Sequence, residues 1–420
     1  MVSGVGVRPD QVSVGVLVTA VPRDAVDGAV AQCGVGAKRS DGKLPPHVTA
    51  YLTMGLWLFA DDDYAEVAKK VTGGLDRFGC WDAGWLAPTP GGISQARKRL
   101  GRDVLAEVFE RVARPVASPV TSGAWLRDRR VLAIDGFDVD VPDTMENAAE
   151  FGYSRTGGGP SAFPKARVVA LTECGTHAFL AAEVGAYAVA EQTLAMPLYS
   201  RLRRGELLTA DRAFYSFTAW DRAQATGADL LWRIQAGIRL PVIEILGDGT
   251  YLTVLMDKTI RGGRRDRILA AAAGGTLDTC DDAINDRGLP AAHLVRIVEY
   301  DVPDRAGNGT GELITLATTI TDPAQAGPDE LAEAYHLRWE HETANDQLKT
   351  HLRGPGRILR SKLPDLVHQE IWAWLLVQHA LTVLITAAAD AAAIDPDRIS
   401  FTDTLRLVRR SATGSAAISP

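Results

Sequence analysis

The hydrophobic period of this chain changes at Val131, and that change limits the folds open to it. Before it, from residue 22 to about 115, apolar residues recur at helical spacing. Pro22 opens one pattern and Pro45-Pro46 interrupts it. Residues 47–59 form a long apolar run closed by Asp61-Asp62-Asp63, and 93–100 continue through Leu105 and Phe109. From Val131 the runs are short and strand-like: 131–135, 167–172 and 177–182. Residues 191–202 then read as a helix, 206–211 as a buried strand, 216–225 as a helix and 229–234 as a strand. Three strands followed by alternating helix and strand predict a mixed α/β sheet behind a helical module.

Residues 239–319 interrupt that layout with β-like pieces at 251–255 and 294–298 among Gly-rich and charged turns, so they read as an insertion. A last strand, 312–319, precedes Asp322-Pro323. A long helical pattern then runs from Pro328 to about 352, its first turn carrying Pro and two acids as helix N-termini favour. The expected division is a helical N-terminal, DNA-binding-type domain over 1–125, a core in two parts over 126–238 and 312–356, a β-rich insertion over 239–311, and a helical C-terminal region over 357–420.

Composition narrows the function classes. The 420 residues suffice for a large buried core. Four cysteines lie too far apart for a C-x-x-C clip and are too sparse for a disulfide scaffold, which points to a reducing, cytoplasmic setting. Residues 1–11 carry one base and lack a signal-peptide pattern. The apolar stretch 371–389 holds Gln378 and His379 at its middle and reads as a buried helix, not a membrane span. No G-x-x-x-x-G-K-[ST] occurs, so no nucleotide cofactor is implied. No H-E-x-x-H occurs, and His336 and His341 fall on different helix faces, against a zinc hydrolase. The net charge of −7 argues mildly against nucleic acid, yet residues 94–130 hold nine bases against four acids, among them Arg97, Lys98 and Arg99 on one helix. Charge alone balances a solvated face against contact with phosphates.

Two acids, Asp135 and Asp211, end apolar runs and precede turns, where ligands and metals collect in α/β sheets; a turn-capping role is the plainer alternative for either alone. On the 328–352 helix, taking Tyr335 as zero, Arg338 falls near −60°, Glu342 near −20° and Lys349 near −40° at about 100° per residue. Phenol, guanidinium, carboxylate and ammonium on one stripe face either solvent or a charged ligand. Asp346, near +20° on the same reckoning, is an alternative acid.

These residues carry a resemblance. Tyr335, Arg338, Glu342 and Lys349 reproduce the Y-x2-R-x3-E-x6-K signature of DDE transposases of the insertion-sequence-four family. The blocks around Asp135 ("LAIDGFDVDVPDTMENAAEFG"), around Asp211 ("LLTADRAFYS") and toward the C-terminus are similar to the same family. The resemblance implies an RNase H-like core in which Asp135, Asp211 and Glu342 converge on two Mg²⁺ ions, with Mn²⁺ as the alternative ion. It implies cut-and-paste transposition of double-stranded DNA at terminal inverted repeats through a hairpin intermediate, in a homodimeric synaptic complex at the bacterial nucleoid. Tyr335, Arg338, Lys349 and Arg212 are then expected on DNA, with Arg97, Lys98 and Arg99 as a second contact. A nuclease without strand transfer and a catalytically silent DNA-binding relic are the alternatives. Asp138, Asp140 and Asp143 read as structural and Trp232 as core; Tyr251 and Tyr300 are weak candidates for a base-flipping aromatic.

Overall fold

The computed structural model of the chain describes residues 13–36, 44–75, 88–156, 159–235, 238, 240–302, 312–338 and 358–412. Its strands are β1 (Trp125–Leu126), β2 (Arg129–Asp140), β3 (Tyr153–Thr156), β4 (Gly159–Glu173), β5 (Ala178–Ala186), β6 (Glu206–Ala210), β7 (Asp229–Arg233), β8 (Glu244–Ile245), β9 (Tyr251–Met256), β10 (Ala292–Val302) and β11 (Glu312–Thr318). The central order is β5-β4-β2-β6-β7, with β4 antiparallel to both its neighbours and β2, β6 and β7 mutually parallel. This is the mixed sheet of an RNase H-like core. The parallel pairs need crossover connections, and the helices Glu191–Tyr199 and Phe217–Gln224 supply them.

Alternation along β2 and β6 decides what each face meets. Leu132, Ile134, Leu208 and Ala210 pack with Leu198, Trp220 and Trp232 on the crossover-helix side. Val131, Ala133 and Leu207 point the other way, onto Leu331, Ala334 and Tyr335 of the helix Pro328–His336. With both faces covered, the strands read as continuous apolar runs, which is why they were recognisable in sequence.

The insertion does not form a separate sheet. β11 pairs antiparallel with β7, and β10, β9 and β8 follow in turn, so the core sheet continues outward to eleven strands. The insertion also contains the helix Gly262–Ala273, where the sequence pattern suggests Gly-rich and charged turns. Two leading glycines and four charged residues mask its periodicity, and only Ile268 and Ala272 are buried.

The N-terminal and C-terminal helical regions share one core. Helices Pro46–Leu58, Tyr64–Leu75, Pro90–Leu100 and Val104–Val112 gather around Pro364–Ala392. Trp57 stacks on Trp374 with centroids 5.0 Å apart and donates from Nε1 to the Glu370 carbonyl at 2.6 Å. Phe137 of β2 meets Trp374 edge-on at 5.9 Å, joining this bundle to the sheet. Pro364–Ala392 is long and apolar enough to cross a membrane by length and composition, but 78% of its most apolar window is buried inside the protein. It is the axis of the bundle.

His379, on that helix, is 3% exposed. Burial, with the nearby Arg114 cation, pushes its imidazole down to about 4 despite a bond at the Val112 backbone. Because the folded value lies below the ordinary 6.5, the unfolded chain takes up the proton first. The stability tied to the neutral ring is whole above about pH 6.5 and is lost as pH falls toward 4, about 3 kcal/mol over that window. The denaturation midpoint is therefore expected to fall between pH 7 and pH 4.5, and a His379→Met variant to lose that share of the slope. Equal slopes in the two proteins would count against the assignment.

Candidate active site

The parallel register of β2 and β6 brings the two predicted acids together. Ile134 pairs with Ala210, so Asp135 and Asp211 are the next residues on neighbouring strands, which lie about 4.8 Å apart. By alternation they belong to the face carrying Val131, Ala133 and Leu207, the face covered by Pro328–His336. Both are half-buried. The Asp135 carboxylate accepts from the Gly136 N–H at 2.8 Å. A Cβ at position 136 would stand 2.9 Å from the Glu191 carboxyl carbon, so a larger residue there would make that side chain shift.

The helix completes the arrangement. Its buried Leu331, Ala334 and Tyr335 seat it on the sheet, and its N-terminus is closed by the Glu330 carboxylate on the Gly327 N–H. Tyr335 donates from its hydroxyl to Asp211 at 3.4 Å, and the Arg338 guanidinium reaches Asp135 at 3.5 Å. The Arg338 guanidinium carbon lies 5.7 Å from the Tyr335 ring centroid. Burial, partly countered by Arg338 and reinforced by Asp211, pushes the Tyr335 phenol up to about 12, so it stays a donor at neutral pH. Two carboxylates, a guanidinium and a phenol thus converge where β6 ends beside the middle of β2; Asp135 does not precede a turn as expected, because β2 runs on to Asp140 in register with β4.

Glu342 and Lys349, together with Asp346 and His341, lie outside the described residues. Among the described residues no group of three metal-liganding side chains closes up. Arg212 is exposed, 3.9 Å from Glu312, which also pairs with Arg233. Arg233 does not stand out in the sequence, because the buried Ile234 carries the apolar run past it. Trp232 is fully buried between Tyr199 and Trp220. Asp138 pairs with Arg167, Asp140 with Lys165, and Asp143 accepts from Tyr153. The Tyr300 ring lies 5.8 Å from His336 beneath the helix, and Tyr251 is half-buried on β9.

One expected DNA contact is corrected. Arg97 is 1% exposed and donates to Gln369, Tyr64, Ser361 and the Leu366 carbonyl, so it has no surface for a phosphate. Its neighbours Lys98 and Arg99 are exposed. A basic triplet on a helix necessarily spans two faces, and here the first member turns inward.

Comparison with known proteins bears on the same segments. A family model described as the insertion element 4 transposase N-terminal matches residues 11–110, and one described as the transposase DDE domain matches residues 126–378. The chain is 27% identical over 324 residues to "Transposase InsG for insertion sequence element IS4" of Escherichia coli (strain K12), covering 76% of this chain and 67% of that one. It is 25% identical over 189 residues to "Putative transposase InsZ" of the same organism, covering 44% and 60%. A cryo-EM structure of the piggyBac transposase synaptic complex with hairpin DNA aligns over 96% of this chain and 80% of that one, at 10% identity and a TM-score of 0.47.

Proposed function

The chain belongs to the DDE transposases of the insertion element 4 family, and from that premise we propose that it excises and reinserts its own DNA element by cutting and joining phosphodiester bonds at the terminal inverted repeats. The observation that carries this reading is the register that sets Asp135 of β2 beside Asp211 just past β6, under Tyr335 and Arg338.

The donor set suits hard divalent cations: two neighbouring carboxylates offering oxygen alone, with Glu342 as the third. Asp135, Asp211 and Glu342 would hold two Mg²⁺, and Mn²⁺ equally. Such a pair, when bound, activates an attacking oxygen and stabilises a leaving one. The protein's own groups do the rest. The Gly136 N–H fixes one Asp135 oxygen and leaves its other edge toward Arg338. Arg338 offers a planar donor fork that matches a phosphate, and Tyr335, protonated throughout, donates a neutral hydrogen bond beside it. Lys349, the last residue of the family signature, would hold the same DNA end, and Arg212 adds an exposed cation next to Asp211. Lys98 and Arg99 form a second basic contact on the helical module. Water first frees a 3′-hydroxyl; that hydroxyl attacks the opposite strand to give a hairpin, which is reopened before joining to target DNA. Two copies holding two ends make the synaptic complex, and the substrate places this work at the nucleoid, in the cytoplasm.

The direct test incubates the purified protein with a labelled duplex carrying the element's terminal repeat and Mg²⁺, resolving products on denaturing gels. Nicking at the repeat end followed by a hairpin product is expected. Cleavage without joining would reduce the protein to a nuclease, and end-binding without cleavage in either Mg²⁺ or Mn²⁺ would leave a DNA-binding relic.

A further inference from the structure

The helix that lays Tyr335 and Arg338 against the two aspartates starts from a short loop, residues 322–327, gripped by arginines from two sides. From the core, Arg127 donates to the Ala324 carbonyl at 2.6 Å and to the two Glu330 oxygens at 3.0 and 2.7 Å, and Arg129 reaches the Gln325 side-chain oxygen at 2.7 Å. From the insertion comes Arg296 on β10, which is fully buried. It donates to the Ala326 carbonyl and the Thr250 hydroxyl, both at 2.8 Å, and to the Asp248 carboxylate. Asp248 is itself held in the β8–β9 turn, accepting from the Thr250 N–H at 3.1 Å and hydroxyl at 2.6 Å.

A buried guanidinium is a poor choice for packing alone, since an apolar side chain of similar volume serves stability as well or better. What the guanidinium adds is orientation: a rigid fork that ties two distant segments at a fixed angle. Here the segments are the insertion's turn and the start of the helix whose far end contacts both aspartates. We propose that Arg296 is a positioning residue for transposition: it transmits the placement of the Asp248–Thr250 turn to the 322–327 loop, and so sets Tyr335 and Arg338 against Asp211 and Asp135. Through Arg296 the β-rich insertion thereby acts on the reaction from behind the helix. This rests on the transposase reading of the site.

The test compares Arg296→Lys and Asp248→Asn with wild type. Arg267→Ala is the control, removing an exposed pair to Asp282 in the same insertion. Two readouts are taken: hydrogen exchange of the amides of 324–336, and single-turnover cleavage of a pre-bound repeat end alongside its equilibrium binding. Both variants are expected to exchange faster over 324–336 with β6 unchanged, and to cleave roughly 10–100-fold more slowly with end affinity within about twofold. In a Tyr335→Phe background most of that loss disappears, because the two changes act on one contact. The control matches wild type. If Arg296→Lys does not fold, Asp248→Asn, altered at a surface turn, carries the test alone. Wild-type exchange and cleavage in a folded variant, or a loss additive with Tyr335→Phe, overturns the proposal. A wild-type protein that fails to cleave defeats the transposase reading instead, and the exchange measurement still decides whether Arg296 places the loop.

Discussion

Asp211→Asn is expected to abolish cleavage of the repeat end, by about a thousandfold or more, while the protein melts as wild type does and still binds the end. The magnitude follows from what the carboxylate is asked to supply. Stabilising charge in the transition state through a held cation is worth several kcal/mol, and each ~1.4 kcal/mol is tenfold in rate. The fold tolerates the change because Asp211 follows β6, remains half-exposed, and has the long 3.4 Å contact to Tyr335, which an amide oxygen also accepts. Asp135→Asn is expected to match it, since the register makes the two positions neighbours on one face. Single-turnover cleavage, thermal melts and calorimetric Mn²⁺ titration separate the cases. A folded variant that cleaves at the wild-type rate would remove Asp211 from the metal-holding set.

Arg97→Ala is expected to destabilise the protein by about 3–5 kcal/mol, through stranded buried acceptors and a cavity. Its guanidinium binds Gln369, Ser361 and the Leu366 carbonyl, while the Gln369 amide returns to the Arg97 and Gly101 carbonyls at 2.7 and 2.5 Å. Removing one partner therefore loosens helices from opposite ends of the sequence. The exposed Lys98→Ala and Arg99→Ala variants are expected to unfold like wild type and to lower the salt slope of DNA binding by about one each. Urea denaturation together with binding at several salt concentrations distinguishes the two behaviours. Unchanged stability in Arg97→Ala, with a reduced salt slope, would return this side chain to the DNA surface.

The contrast shows how far the chain could be read directly. Asp135 and Asp211 were legible because β2 and β6 are covered on both faces, so the acid that follows each uninterrupted apolar run, 131–134 and 207–210, stood out. Their convergence followed only from the family resemblance, since the residues themselves do not give the Ile134–Ala210 register. Tyr335 and Arg338 showed themselves by helical spacing, but nothing local said which of them meets which aspartate. Arg97 was misread because a run of charges reveals composition and not facing. Three of its four partners lie some 270 residues away. Arg296 was overlooked for the same reason, as its role exists only where a β-turn and a helix cap meet across the sheet. The helix Gly262–Ala273 was hidden because only two of its residues are buried, too few to print a period.

The shared bundle core also sets an order of events during synthesis. Helices 46–58, 64–75, 90–100 and 104–112 leave the ribosome early, yet the helix around which they close, Pro364–Ala392, comes roughly 250 residues later. At about 5–20 residues per second the nascent module waits some ten to fifty seconds with its apolar faces, including Trp57, uncovered. A nascent chain of this protein thus completes the front of its structure last, after the sheet that follows it in sequence has been made.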